Sequence, residues 1–356
     1  MTLGSQRRRL TSPEDLVEAG LAGPERLPEL EAVANHYAIG LTPALADLVR
    51  PEDPADPIAR QFVPDARELI RDPAERDDPI GDDAMSPVDG LVHRYPDRVL
   101  IKLVAVCAVY CRFCFRRERV GPGSGTLSAA EFGGALDYLR ARSEIWEVIL
   151  TGGDPLTLSP RRIAETTQSL AAIDHVKVLR WHTRLPVAAP ERMTKAVARA
   201  LMAEGKTTVV AVHANHAREL TENARSACRR LVAEGAMLVS QSVLLKGVND
   251  DPETLIDLMR AFVEARVKPY YLHHGDLAPG TTHWRVSIAR GQELMRVLRA
   301  RLSGLATPIY MLDIPGGHGK APIGPQWIHP SEDRGHVVTD PQGMQHIYAD
   351  RLGADG

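Results

Sequence analysis

The chain has 356 residues, 44% of them hydrophobic, and its 43 Lys and Arg nearly balance its 46 Asp and Glu, leaving a formal charge of −3. That length fits one large α/β domain with additions, or two domains. The balance leaves no extended basic stripe for nucleic acid, no apolar run approaches a membrane span, and four cysteines in so long a chain are no disulfide scaffold.

The start, "MTLGSQRRRL", lacks the apolar core of a signal peptide, so a cytoplasmic protein is expected. Residues 1–90 read as helical and loop-rich. Ser12-Pro13-Glu14-Asp15 has the form of a helix start, with Pro in the first turn and an acid three places after the Ser. Thr42-Pro43 opens a second candidate helix, and a short one is expected near Ala66 to Ile70 inside a Pro- and Asp-rich stretch. Ile58, Phe62, Val63, Leu69 and Ile80 are spread along that stretch. Their apolar side chains predict a segment docked on the main body, where a disordered linker would be polar throughout.

From about residue 99 short β-branched runs alternate with helix-length stretches. Strands are predicted at 99–106, 146–150, 176–181, 207–212, 237–244, 267–272 and 307–312. Helices are predicted at Ala129–Ala141, Pro160–Ala171, Pro190–Ala203, Arg218–Ala233, Pro252–Ala265 and Arg290–Leu302. This is the pattern of a parallel sheet made of βα units, closing wholly or partly as a barrel or lying open. No G-x-G-x-x-G follows the first strand, so a dinucleotide site is not indicated there. The segments after the strands are rich in chemistry: the cysteine loop, "TGGDPL", "HTRLP", "HANH", "QSVLLKGVND", "HHGDL" and "DIPGGHGK". In a barrel these all fall on one rim, where active sites form.

Cys107, Cys111 and Cys114 are spaced C-x3-C-x2-C, and Cys228 stands apart. Three thiolates without a fourth ligand fit structural zinc poorly, because zinc prefers four protein ligands in closed sites. They suit an iron–sulfur cluster with one iron left open. Three buried core thiols are the bland alternative. "PGGHGK" at 315–320 superficially suggests a phosphate loop, but Ile314 stands where the first glycine should be and Ala321 follows the lysine.

C-x3-C-x2-C after the first strand, with Phe113 before the last Cys and "TGGDP" after the second strand, resembles the signature of radical S-adenosylmethionine (radical SAM) enzymes. "HRYPDRVL", "CRFCFRR", "TGGDPL", "TRLPV", "HANH", "QSVLLKGVND", "YYLHHGDL" and "DIPGGHGK" then follow in order, and over about residues 50 to 325 the chain resembles the lysine 2,3-aminomutase family. The resemblance implies an α/β fold, a radical-SAM partial (β/α)6 barrel with an N-terminal helical extension. The chain then divides into a wrapping segment at 1–90, the barrel at 91–325 and a C-terminal tail at 326–356.

The activity implied is conversion of L-lysine to β-lysine by radical 1,2-amino migration. The cofactors implied are a 4Fe-4S cluster, S-adenosyl-L-methionine and pyridoxal 5'-phosphate. By the same resemblance Cys107, Cys111 and Cys114 hold the cluster. Gly152, Gly153, Asp154, His213 and Gln241 serve S-adenosylmethionine. Arg94 and Arg98, with Tyr95 between them, serve the pyridoxal phosphate, guanidinium forks being suited to phosphate oxygens. Lys320 is the amine that joins the cofactor aldehyde. Arg116 pairs with the substrate carboxylate, and Asp276 and Asp313 clamp its side-chain ammonium.

Longer family members carry further cysteines that hold a structural zinc. Here no cysteine follows Cys228, and Asp251 stands at the matching core position, so no zinc is expected. A homo-oligomer is expected, as is an external electron donor such as flavodoxin or ferredoxin, with no nucleic-acid or membrane partner. Some short members supply β-lysine for elongation factor P. The rival readings are a mutase for another amino acid, chiefly glutamate, and a non-catalytic iron–sulfur protein.

Overall fold

All seven β-branched runs become strands. The computed structural model describes residues 8–331 and 335–349. Its main sheet holds β1 (Leu91–Tyr95), β2 (Arg98–Val104), β3 (Glu147–Gly152), β4 (Val178–Thr183), β5 (Thr207–His213), β6 (Met237–Val243), β7 (Lys268–His273), β8 (Ile309–Asp313) and β9 (Lys320–Pro322). They are neighbours in chain order. β2 to β8 are parallel throughout. β1 and β9 turn back antiparallel at the two edges. The edges do not pair with each other, so the curled sheet is a partial barrel, as expected.

Among the described residues four short α-helices come first: α1 (Pro13–Glu18), α2 (Leu27–Ala34), α3 (Pro43–Ala46) and α4 (Ala59–Phe62). The crossovers carry α5 (Ala129–Arg140), α6 (Pro160–Ala171), α7 (Leu185–Ala188), α8 (Lys195–Ala200), α9 (Glu222–Ala233), α10 (Pro252–Glu264) and α11 (Ile288–Arg301). Every crossover helix except α7 opens on a short polar side chain: Ser128, Ser159, Thr194, Thr221, Asp251 and Ser287 accept backbone amides of the first turn. Such a cap satisfies donors that the helix itself cannot. Asp251, noted above for replacing a zinc-binding cysteine, has this work to do, accepting from the amides of Glu253 and Thr254 at 3.0 and 3.1 Å.

The same capping explains where the helices differ from expectation. The stretch from Pro190 breaks after a single 3-10 turn, and α8 restarts at the Thr194 cap. α9 begins at Glu222 because Thr221 caps it, while Ala217–Glu219 forms a separate turn. α2, α4, β1 and β9 carried too little periodicity to be predicted. So did a separate three-stranded antiparallel sheet, β10 (Ile328–Ser331), β11 (Gly335–Thr339) and β12 (Gln345–Tyr348), in the C-terminal tail.

Side chains alternate along each strand. Those facing the helices, such as Ile101, Leu150, Leu179, Trp181, Val210 and Leu272, are fully buried. Each buried aliphatic or aromatic side chain contributes ~1.5–3 kcal/mol relative to exposure. The opposite face, with Arg180, His182, His213, Gln241 and Tyr271, is only half-buried. It lines a polar lumen, and the rim segments sit at the lumen's C-terminal mouth.

Candidate active site

The cysteine loop leaves the end of β2, and its three thiols line one cavity together with Tyr37, Val109 and Tyr110. The loop is clasped from outside by the N-terminal segment. Arg112 and Arg117 are both buried against Glu68. Arg112 donates to it through Nε at 3.0 Å and Nη2 at 2.6 Å, and Arg117 through Nη2. Arg112 also donates Nη1 to the Ala38 carbonyl and its own amide to the Gln61 carbonyl, at 2.8 and 2.9 Å. A buried carboxylate shared by two guanidiniums fixes geometry well, because the loss of one partner would strand a charge. These arginines therefore hold the loop.

Burial disfavours the thiolates: it pushes the Cys114 thiol up to about 11 and raises Cys107 and Cys111 as well. Nearby iron would reverse that preference, since a bound cation stabilises thiolate outright. Among the described residues no three His, Cys, Asp or Glu side chains converge as ligands of a single metal ion. A multinuclear cluster asks for less convergence, because each thiolate takes a different iron. Three thiols on one cavity wall suit that donor set.

"TGGDP" locks onto this loop. The Gly153 amide donates to the Val104 carbonyl at 2.5 Å and the Asp154 amide to the Val106 carbonyl at 2.9 Å. A Cβ on Gly152 or Gly153 would meet those same carbonyls at 2.3 Å, and Gly152 has φ +114°. Glycine is needed here for the approach of two backbones. The Asp154 carboxylate is buried and fully engaged, accepting from the Thr183 hydroxyl at 2.7 Å and the amides of Arg184 and Leu156 at 2.8 and 3.0 Å. It ties the end of β4 to the cysteine loop.

Deeper in the lumen several buried polar atoms have no protein partner: Nε2 of His182, His213 and His273, and Oε1 of Gln241. His213 and Gln241 are register partners on β5 and β6, and the His182 and His213 rings meet edge to face at 5.7 Å. Burial pushes His213 down to about 3 and holds His182 well below its ordinary value, so both rings are neutral near pH 7. Unpartnered polar atoms in a lumen are costly unless a ligand or water completes them, so this wall fits a polar cofactor. His213 and Gln241 were expected here; His182 and His273 were not singled out. The only sequence sign of the latter two was their place inside "HTRLP" and "HHGDL".

The last part of the site is delivered by the turn between β8 and β9. The Ile314 amide donates to the Gly319 carbonyl at 2.8 Å and closes the "DIPGGHGK" loop. The loop is thus a fixed turn, with φ +89° at Gly319. Lys320 emerges beside its register partner Asp313, its ammonium paired with that carboxylate and its amide donating to the Tyr95 hydroxyl at 2.7 Å. Arg98 stacks 3.7 Å from the Tyr95 ring. Arg94 is held instead by the Ile80 carbonyl at 2.8 Å and Asp82 at 3.1 Å, with Asp313 4.0 Å away. Asp82 also takes Arg116 at 2.9 Å, and Arg116 reaches Thr151 at 3.3 Å. The sequence reading missed Asp82, which orients both arginines, and Lys102, whose charge lies beside it.

Asp313 stays ionised: Nδ1 of His273 lies 3.2 Å from it and Lys320 pairs with it, and together they outweigh burial and hold its carboxyl well below the usual range. Asp276 is different. Burial and the neighbouring Asp313 charge push it up to about 7. The two acids share one region of the lumen, where a cation other than Lys320 would be welcome.

Among the described residues no helix is long and apolar enough to cross a membrane. The family model described as the radical SAM superfamily matches residues 101–259. The chain is 35% identical to the L-lysine 2,3-aminomutase of Acetoanaerobium sticklandii, over 96% of this chain and 82% of that protein. It is 34% identical to the L-lysine 2,3-aminomutase of Escherichia coli, over 88% and 92% of the two chains. It is also 35% identical to the glutamate 2,3-aminomutase of Clostridioides difficile, over 84% and 70%. With this breadth of similarity and a radical SAM core behind its cysteine loop, the chain belongs to the lysine 2,3-aminomutase family of radical SAM enzymes, isomerases that work with S-adenosylmethionine and an iron–sulfur cluster.

Proposed function

We propose that the chain is an L-lysine 2,3-aminomutase, moving the amino group of L-lysine from C2 to C3 and releasing β-lysine. Overall similarity does not choose the substrate, since the two lysine enzymes and the glutamate enzyme above stand at 34 to 35% identity. The observation that carries the reading is the pair Asp276 and Asp313 in one region of the lumen, their charges acting on each other, Asp313 buried and Asp276 half-buried. Two carboxylates welcome the ε-ammonium of lysine and repel the side chain of glutamate.

The residues present also fit pyridoxal phosphate: an amine at Lys320, arginines at Arg94 and Arg98, and Tyr95 holding the lysine backbone. When bound, the two cofactors would supply a carbon radical that removes and returns hydrogen and a conjugated ring that delocalises the unpaired electron. The chain's own groups do the rest. Arg116, oriented by Asp82, binds the substrate carboxylate. Asp276 and Asp313 fix the far end, so that C2 and C3 are held in one place. Asp313 holds the Lys320 ammonium by charge in the free protein, at the place where that amine would meet the cofactor aldehyde. Cys107, Cys111 and Cys114 hold the cluster at the lumen mouth, and His213 and Gln241 offer their free atoms to S-adenosylmethionine.

The test is anaerobic: protein, S-adenosylmethionine, pyridoxal phosphate and a strong reductant, offered lysine, glutamate, arginine and ornithine separately. β-Lysine should accumulate with no net loss of S-adenosylmethionine, and faster turnover of glutamate would overturn the assignment. The pH dependence is a second check. An ammonium prefers Asp276 ionised, and its carboxyl lies at about 7 in the free protein. Lysine kcat/KM should therefore rise through about pH 7 and level off above it, since this parameter reports the free enzyme's groups. Asp276→Asn should lose that limb of the profile.

A further inference from the structure

We propose that Arg184 is a positioning residue for the iron–sulfur cluster, seating Cys111 and raising the cluster's readiness to accept an electron. The inference rests on Cys111 being a cluster ligand. Arg184 directly follows β4, and its side chain is buried. Its Nη1 donates to the Cys111 sulfur at 3.2 Å. Its Nη2 donates to Gln61 Oε1 at 2.8 Å and to Glu219. The guanidinium carbon lies 4.8 Å from the Phe62 ring and 5.7 Å from Phe113.

The partners that hold it are themselves fixed. Glu219 is fully buried and accepts from the amides of Asn215 and His216 at 2.8 and 2.9 Å and from Gln61 Nε2 at 3.1 Å. Gln61 Oε1 takes a second donor, Asn215 Nδ2, at 3.1 Å. The Arg184 amide is tied to Asp154. The guanidinium therefore has one orientation, and within it Nη1 faces sulfur.

Arg112 and Arg117, on the cysteine loop itself, are turned away onto Glu68. Arg184 is thus the cation with a hydrogen bond to a cysteine sulfur among the described residues. Its charge works against the burial that disfavours the Cys111 thiolate. A fixed donor and positive charge beside a cluster sulfur stabilise the more negative, reduced form. The Gln61 brace comes from α4, so the N-terminal segment also takes part in setting the cluster's environment.

The experiment uses the full chain, reconstituted anaerobically, and reads iron content, the electron paramagnetic resonance signal of the reduced cluster, and its midpoint in a redox titration. Arg184→Gln should shift the midpoint to more negative values and alter the signal. Arg184→Lys, which keeps the charge but not the fork, should lie between it and the unaltered protein. If Arg184→Gln does not fold by circular dichroism, Arg184→Lys carries the test alone. Folded, iron-loaded variants with an unchanged midpoint and signal would overturn the proposal. Cys111→Ala is the separate control: full cluster content in that variant would refute the ligand assignment itself.

Discussion

Lys320→Ala should abolish the covalent attachment of pyridoxal phosphate and lower turnover by several orders of magnitude. Borohydride treatment of the unaltered protein, followed by peptide mass mapping, should find the pyridoxyl group on Lys320. Well-placed intramolecular groups act at effective concentrations on the order of 10⁵ M or more, so free amine in solution will not replace this one. The geometry names the residues that would carry the label if the assignment were wrong. Lys102 shares the lumen with Asp82 and Arg116, and burial lowers its pKa; Lys246 and Lys268 lie elsewhere. A pyridoxyl mass on any of the three would reassign the amine. The variant should also disturb Asp276, whose carboxyl the Lys320 charge helps to ionise.

Asp276→Ala and Asp313→Ala should each lower kcat/KM for lysine by roughly 30-fold or more, from a cost of ~2–5 kcal/mol for leaving a buried cation partly unpaired, at about 1.4 kcal/mol per tenfold. The two should differ in kind. Asp313 pairs with Lys320 as well as serving the substrate end, so its loss should depress kcat too. Asp276 has no such second duty, and its loss should fall chiefly on KM. Lysine turnover unchanged in both variants would remove the basis for lysine selectivity while leaving the radical chemistry intact.

How much of this could be read from the sequence depended on how local each signal was. The strands were legible because β-branched runs fully buried on one face advertise themselves, and all seven appeared within a few residues of the expected bounds. Cys107, Cys111 and Cys114 were legible from spacing alone, and Lys320 and Asp313 from one short segment. The N-terminal clasp was not. Gln61 and Glu68 are polar residues in a Pro- and Asp-rich stretch, where a solvated surface is the ordinary expectation. Their burial depends on Arg112, 44 positions from Glu68, and on Arg184, 123 positions from Gln61. Asp154 was found but its duty was not: only the register of β3 against β4 brings Thr183 onto its carboxylate. His182 and His273 gave no periodic signal, because a polar lumen makes inward-facing histidines look like any exposed strand positions.

The antiparallel return of β9 has a consequence for how the enzyme is made. The Tyr95 hydroxyl precedes the Lys320 amide that it accepts by 225 positions. On a ribosome the cysteine loop and the segment that clasps it emerge long before the reactive amine, and domains generally fold from the N-terminus as they are synthesised. A nascent chain can therefore bring the cysteine loop and its Glu68 clasp together before Lys320 has been made. The order of the strands thus lets the cysteine loop and its clasp emerge well before the turn that delivers Lys320.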